Sequence, residues 1–143
     1  MDMSTDLALP MLGMMVLTLL VWVFMFIQRV GYAQSQKLDI EQFKTPADVQ
    51  VLVPAEISGS SNNFRNLFEL PVIFYGLCLY LMVSGQADSF YTNCAWAFLV
   101  LRCLHSLIHC SYNNVNQRFV AYALSCLVLA LIWLRLATFI ISY

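Results

Sequence analysis

Four long apolar runs separated by polar segments constrain this chain more than any other feature: Leu7 to Ile27, Phe64 to Val83, Tyr91 to Tyr112 and Phe119 to Ser142. Crossing about 30 Å of hydrocarbon takes about 20 helical residues at about 1.5 Å rise, and each run is long enough to span with some tilt. The expected fold class is an all-α integral membrane protein, a four-helix transmembrane bundle. Its helices are expected at about 7–29, 64–83, 91–112 and 119–142, within a single membrane domain covering 1–143. A charged content of 10%, against about 25% in soluble domains, argues against a water-soluble fold. A length of 143 residues leaves no room for a separate soluble domain.

Polar stretches connect the runs. The first, 31–63, carries Lys37, Asp39, Glu41, Lys44, Asp48 and Glu56 with Pro46 and Pro54, and closes on Ser58, Gly59, Ser60, Ser61, Asn62 and Asn63. Its mixed signs predict a solvated loop with a short surface helix around Leu38 to Phe43, and its terminal Ser and Asn residues are candidate caps for the second span. Ser84 to Ser89 and Asn113 to Gln117 predict tight turns between antiparallel helices. Arg29, Lys37, Lys44, Arg65 and Arg118 gather around the first and third connections. The positive-inside rule therefore puts those loops in the cytoplasm and both termini on the opposite side.

The first run follows Asp2 and Asp6 with no Lys or Arg and has no small-residue cleavage site, so it is expected to be a retained helix and not a signal peptide. Cys78, Cys94, Cys103, Cys110 and Cys126 all lie in apolar stretches without a C-x-x-C pair. Buried free thiols are expected there, not a disulfide framework.

Ionisable groups inside a span are costly and face a bundle interior, a cavity or a partner group. The second run opens Arg65-Asn66-Leu67-Phe68-Glu69-Leu70-Pro71, a spacing that puts Arg65 and Glu69 on one helical face. Pro71 withholds a backbone donor and allows a local kink. The third run carries Arg102, His105 and His109 on a single face, and the fourth begins with Arg118 and, one turn on, Tyr122. These groups predict a polar pocket within the membrane, open to the cytoplasm.

Plainer readings stand beside that one. Arg65 with Glu69 suits an interfacial ion pair, and an intramembrane His suits an interhelical hydrogen bond. Arg135 suits snorkelling or a pair with a neighbouring helix, and Trp22, Trp96 and Trp133 suit packing or interface positions. His105 and His109, four apart, can place two imidazoles on one ion with Glu69 as a third ligand. That donor set is sparse, and neither a metal nor a nucleic-acid partner is expected.

The order Arg65-Asn66-x-x-Glu69 with Pro71, Arg102-x-x-His105-x-x-x-His109 and Arg118-x-x-x-Tyr122 on three successive spans of a small four-helix protein resembles the MAPEG family, the membrane-associated proteins in eicosanoid and glutathione metabolism. The resemblance implies a homotrimer with glutathione held in a U shape between adjacent subunits near the cytoplasmic side. It implies that Arg65, Asn66 and Glu69 contact the tripeptide, with His105, His109 and Tyr122 at further binding positions and Arg29 as the family's first-helix arginine. Arg118 looks like the thiol-activating arginine. The implied activity is a glutathione-dependent membrane transferase or peroxidase acting on lipophilic electrophiles or hydroperoxides.

Glutathione carries two carboxylates and one ammonium, which several guanidinium groups and one carboxylate complement. The chain departs from enzymatic members at Phe119, where some relatives have Ser, and at His109, where several have Tyr. It also lacks further arginines over 59–64. Those departures motivate the alternative of a non-catalytic scaffold or accessory subunit of a larger membrane complex.

Overall fold

The computed structural model describes residues 3–54 and 57–142; Asp2 and Glu56, named above among the polar flanks, lie outside the described residues. Among the described residues six α-helices follow one another: α1 (Met3–Ser35), α2 (Pro46–Leu52), α3 (Ser58–Asn66), α4 (Leu70–Val83), α5 (Ser89–Cys110) and α6 (Val115–Ile141), with a 3₁₀ turn at Ile40–Phe43 after α1. Four stretches are long and apolar enough to cross a membrane: α1 from Asp6, α3 with α4 taken together, α5 and α6.

Each span ends where the chain offers a turn. Past α1, Lys37 takes a left-handed φ of 53°, and Leu38 N–H returns to Ala33 C=O at 3.0 Å, satisfying an orphan carbonyl of the last turn. Gly85 (φ 69°) does the same after α4, with Gln86 N–H on Leu81 C=O, and Asn113 (φ 51°) after α5, with its own N–H on Ile108 C=O. Asp88 and Asn114 then cap the next helices, their side chains accepting from Tyr91 N–H at 3.0 Å and Gln117 N–H at 3.1 Å.

The first connection differs most from expectation. The predicted surface helix around Leu38 to Phe43 is a 3₁₀ turn capped by Asp39, and a further helix, α2, follows it. Thr45 and Asp48 start α2 with a reciprocal capping box. The Ser58 to Asn63 segment, expected as loop and caps, is the body of α3. Its small residues let the backbone approach its neighbours closely: Gly59, Ser60 and Asn63 are buried. Ser60 Oγ donates to Gln28 Oε1 of α1 at 2.6 Å. Ser106 Oγ of α5 donates to Asn63 Oδ1 at 3.3 Å, and Asn63 Nδ2 to Cys110 Sγ at 3.4 Å. These tertiary bonds outweigh the weak helix propensity of Ser, Asn and Gly.

The second span is likewise interrupted and not one helix from Phe64. α3 stops at Asn66 and α4 begins at Leu70, with Pro71 in its first turn, where a missing N–H costs nothing. The core between the spans is apolar, with Met14, Phe74, Cys78, Ala95 and Phe98 buried and the Phe74 and Phe98 rings stacked at 4.5 Å. The outward faces are apolar too: Leu20, Ile27, Leu107, Leu127 and Trp133 are all exposed, as lipid contact requires. The chain is an integral, multi-pass membrane protein. The cysteines are free, but only Cys78 is buried. Cys94, Cys110 and Cys126 are partly covered and Cys103 is exposed.

Candidate functional site

A groove of about 530 Å³ runs between the α3–α4 break, the end of α5 and the start of α6. It brings together Arg65, Asn66, Glu69, His105, His109, Arg118 and Tyr122, with Asn62, Val115 and Phe119 at its walls. Arg29 lines a neighbouring cleft of about 440 Å³ between α1, α2 and α3, where its Nη2 donates to Ser61 Oγ at 2.5 Å. Arg65 and Asn62 line both spaces.

The break between α3 and α4 decides how the first residues present themselves. Arg65 sits in the last turn of α3, and Glu69 lies beyond the break with φ −97° and ψ −100°, so the two do not share one helical face. They form no ion pair: among the described residues such pairs join Lys44 to Glu41 at 3.1 Å and Arg135 to Asp88 at 2.5 Å. Glu69 is exposed in the protomer.

α5 supplies the floor. Arg102 is fully buried, its Nη2 donating to Asn66 C=O at 2.7 Å, and its guanidinium lies 5.5 Å from the Tyr122 ring. One turn on, His105 Nδ1 lies 2.9 Å from Arg118 C=O, and its ring centroid is 5.5 Å from His109 and 5.8 Å from Tyr122. Arg102 Nε and Nη1 and His105 Nε2 are buried without a hydrogen-bond partner. Buried groups of this kind are rare and mark places where a ligand or water completes the shell.

Arg118, in the first turn of α6, is held from two sides. Its Nη1 donates to Asn113 Oδ1 at 2.7 Å and lies 2.9 Å from His109 Nε2. Both bonds run through Nη1, and the guanidinium has further donors at Nη2 and Nε. Asn113 and Arg102 bond to groove residues, and sequence spacing assigned neither a task. Arg102 shares a face with His105, which was visible. Asn113 gave no signal beyond its tolerance of positive φ. The paired imidazoles face a guanidinium, and among the described residues no group of three His, Cys, Asp or Glu side chains converges as a metal site.

The family model described as "MAPEG family" matches residues 7–138, nearly the whole chain. The chain belongs to the MAPEG family. No curated protein and no solved structure matches it significantly. Membership agrees with the four-span bundle and gives this MAPEG protein a general membrane role in glutathione or eicosanoid metabolism. Chemically, the MAPEG chain's groove offers several cationic donors and one carboxylate within a low-dielectric wall, an arrangement suited to a zwitterionic ligand with an excess of negative charge.

Proposed function

We propose that the protein is a glutathione-dependent membrane transferase or peroxidase acting on lipophilic electrophiles or hydroperoxides, with Arg118 stabilising the glutathione thiolate. The observation that carries this reading is the fixed guanidinium of Arg118, held by Asn113 and His109 at the edge of a groove that also holds Arg65 and Glu69. Arg65 suits a tripeptide carboxylate and Glu69 its ammonium. Asn66 and Tyr122 supply neutral hydrogen-bonding groups, and His105 Nε2 is a buried ring nitrogen still in need of a partner. Arg29, one cleft away, reaches the ligand's far end or a neighbouring copy of it.

A cation beside a thiol favours the thiolate, which is the nucleophile. With an electrophile, the thiolate forms a carbon–sulfur bond and the displaced pair leaves with the leaving group or takes up a proton from water. With a hydroperoxide, the thiolate attacks the terminal oxygen, the O–O bond breaks, and the departing alkoxide takes a proton from water to leave as the alcohol. The resulting glutathione sulfenic acid then condenses with a second glutathione to give the disulfide and water. The apolar flank of the bilayer delivers the second substrate, and the groove contributes proximity and charge stabilisation.

The exposed carboxylate of Glu69 supports a homotrimer, since a neighbouring protomer over that face removes it from lipid. The cationic residues around the first and third connections support a cytoplasmic groove with both termini on the opposite side. Purified protein in detergent is expected to bind glutathione and to raise thiolate absorbance near neutral pH. R118L is expected to keep binding but lose that absorbance and about 100-fold in rate, the scale of one lost oxyanion-type contact. Absence of binding at millimolar glutathione overturns the reading. The non-catalytic alternative is favoured by one feature, the large exposed Phe119 ring on the groove wall beside Arg118. Recovery in a larger membrane complex without turnover selects it.

A further inference from the structure

Arg118 is the residue on which the proposed chemistry depends, yet it lies at the exposed start of α6, where a long side chain has many rotamers available. Two contacts restrict it. Asn113 Oδ1 is one, at 2.7 Å, and it never titrates. The other is His109, whose Nε2 is 2.9 Å and Nδ1 3.3 Å from the same Nη1.

His109 is itself fixed. It is 4% exposed, and α3 presses on its backbone so closely that a Cβ built on Gly59 falls 2.8 Å from His109 C=O and 3.9 Å from its Nδ1. Arginine is a donor only and keeps its proton throughout the accessible pH range. With one Nη1 this close to both ring nitrogens, the guanidinium lies over the imidazole face and not on a single lone pair; a neutral ring face attracts it and an imidazolium repels it.

We infer that His109 is a positioning residue for Arg118: its neutral ring face holds the guanidinium in the groove, and its protonation releases Arg118 and withdraws the stabilisation of the bound thiolate. The inference rests on the reading that Arg118 serves a thiol. The charged and titratable groups around His109 come from every packed element. They are His105 on α5, Arg118 and Tyr122 on α6, and Arg65 and Glu69 on either side of the α3–α4 break, with Arg102 deeper on α5. Among the described residues the Arg118 guanidinium bonds to none of them but His109, and a proton on His109 adds a second cation beside the first. Asn113 is then the single remaining hold.

Three proteins in detergent test this: wild type, H109F, which keeps an uncharged ring face without titrating, and H109L, which has no ring. Bound glutathione is monitored by thiolate absorbance across pH, with its affinity measured alongside. Wild type is expected to lose thiolate on the acid side with a two-proton dependence. H109F should fall with a one-proton dependence. H109L should show about tenfold less thiolate per bound glutathione at neutral pH than H109F.

An H109L titration that overlays wild type, or an H109F titration as steep as wild type, overturns the inference. A second readout needs no glutathione. The chain has two histidines, so ¹⁵N-histidine spectra resolve both. R118L should shift the His109 Nε2 resonance and leave His105 Nδ1, bonded to a backbone carbonyl, in place. An unmoved His109 resonance also overturns the inference. A wild type that binds no glutathione removes the proposed function, while the spectra still decide whether His109 holds Arg118.

Discussion

Arg135 of α6 grips Asp88, the residue that caps α5, with Nη1 at 2.9 Å from Oδ1 and Nη2 at 2.5 Å from Oδ2. The guanidinium also lies 4.6 Å from the Phe90 ring and 4.5 Å from the Tyr91 ring. Asp88 Oδ1 simultaneously accepts from Tyr91 N–H. One carboxylate thus starts a helix and ties it to its neighbour, at the opposite end of the bundle from the groove.

The side chains of the pair are 44% and 34% exposed, so the ion pair is worth about 0–1 kcal/mol and the cap about 1 kcal/mol more. D88A, which removes both, should lower thermal stability in detergent more than R135M, which removes the pair alone. The hydrogen bonds from Arg135 hold the Asp88 carboxyl below its usual range. A depressed folded value contributes stability above the unfolded pKa of about 3.9, and that contribution is lost as pH falls through the folded value. The gap between wild type and R135M should be constant near neutrality and close under acid conditions below about pH 4. A gap that persists there, or widens, contradicts the assignment.

Gly59 and Gly13 make a second comparison. A Cβ on Gly59 meets the His109 carbonyl at 2.8 Å, whereas a Cβ on Gly13 meets the tip of Leu99 at 2.5 Å. Backbone does not move aside as a leucine methyl does, so G59A should destabilise by about 1–3 kcal/mol and shift His109. G13A should be much milder, since Leu99 can change rotamer and Ala gains about 1 kcal/mol over Gly within a helix. Detergent melting curves rank the two, and glutathione affinity should fall in G59A alone.

Asn63 carries the contact between α3 and α5. It is fully buried, accepting from Ser106 and donating to the Cys110 thiol. N63A should cost about 1–3 kcal/mol through the unpaired Ser106 hydroxyl and the space left behind. N63D should cost more at neutral pH, because it places a charge in the same site with no cation partnered to it. Equal losses in unfolding titrations would mean that the site is wetter than its burial implies.

The four spans were legible because bilayer thickness sets a length that Leu7 to Ile27 and its counterparts meet on sight. The helix over Ser58 to Asn66 was not. Its Ser, Asn and Gly residues read as loop by propensity, and their value lies in letting α3 approach α1 and α5, which a single sequence does not display. In the groove, His105 with His109 and Arg118 with Tyr122 stand four apart, so shared faces could be read from spacing. The hold of Asn113 on Arg118 and of Arg102 on Asn66 joins separate elements through a turn and a helix end. Arg65 and Glu69 were expected on one face because spacing assumes an unbroken helix, and the break before Pro71 removes that assumption. Arg29 was assigned to the ligand site, and it lines a neighbouring cleft that shares Asn62 and Arg65 with the groove.

Arg102 separates stability from binding. It is fully buried and forms no ion pair among the described residues, two of its nitrogens lack hydrogen bonds, and the third donates to Asn66 C=O at the end of α3. A buried charge left partly unpaired is a net cost that an apolar side chain of similar volume relieves. R102M should therefore leave the melting temperature of the unliganded protein unchanged or raise it. The Asn66 carbonyl, already at a helix C-terminus where a nearby cation is favourable, loses its anchor, and the segment from Asn66 to Glu69 is freed. Glutathione should then bind about tenfold more weakly, a change of about 1.4 kcal/mol. Calorimetric titration and thermal melting on the same preparation read the two effects independently. Wild-type affinity in R102M would show that the break between α3 and α4 keeps its shape without Arg102, and a large drop in melting temperature would show that the buried guanidinium is satisfied by solvent in the native membrane protein.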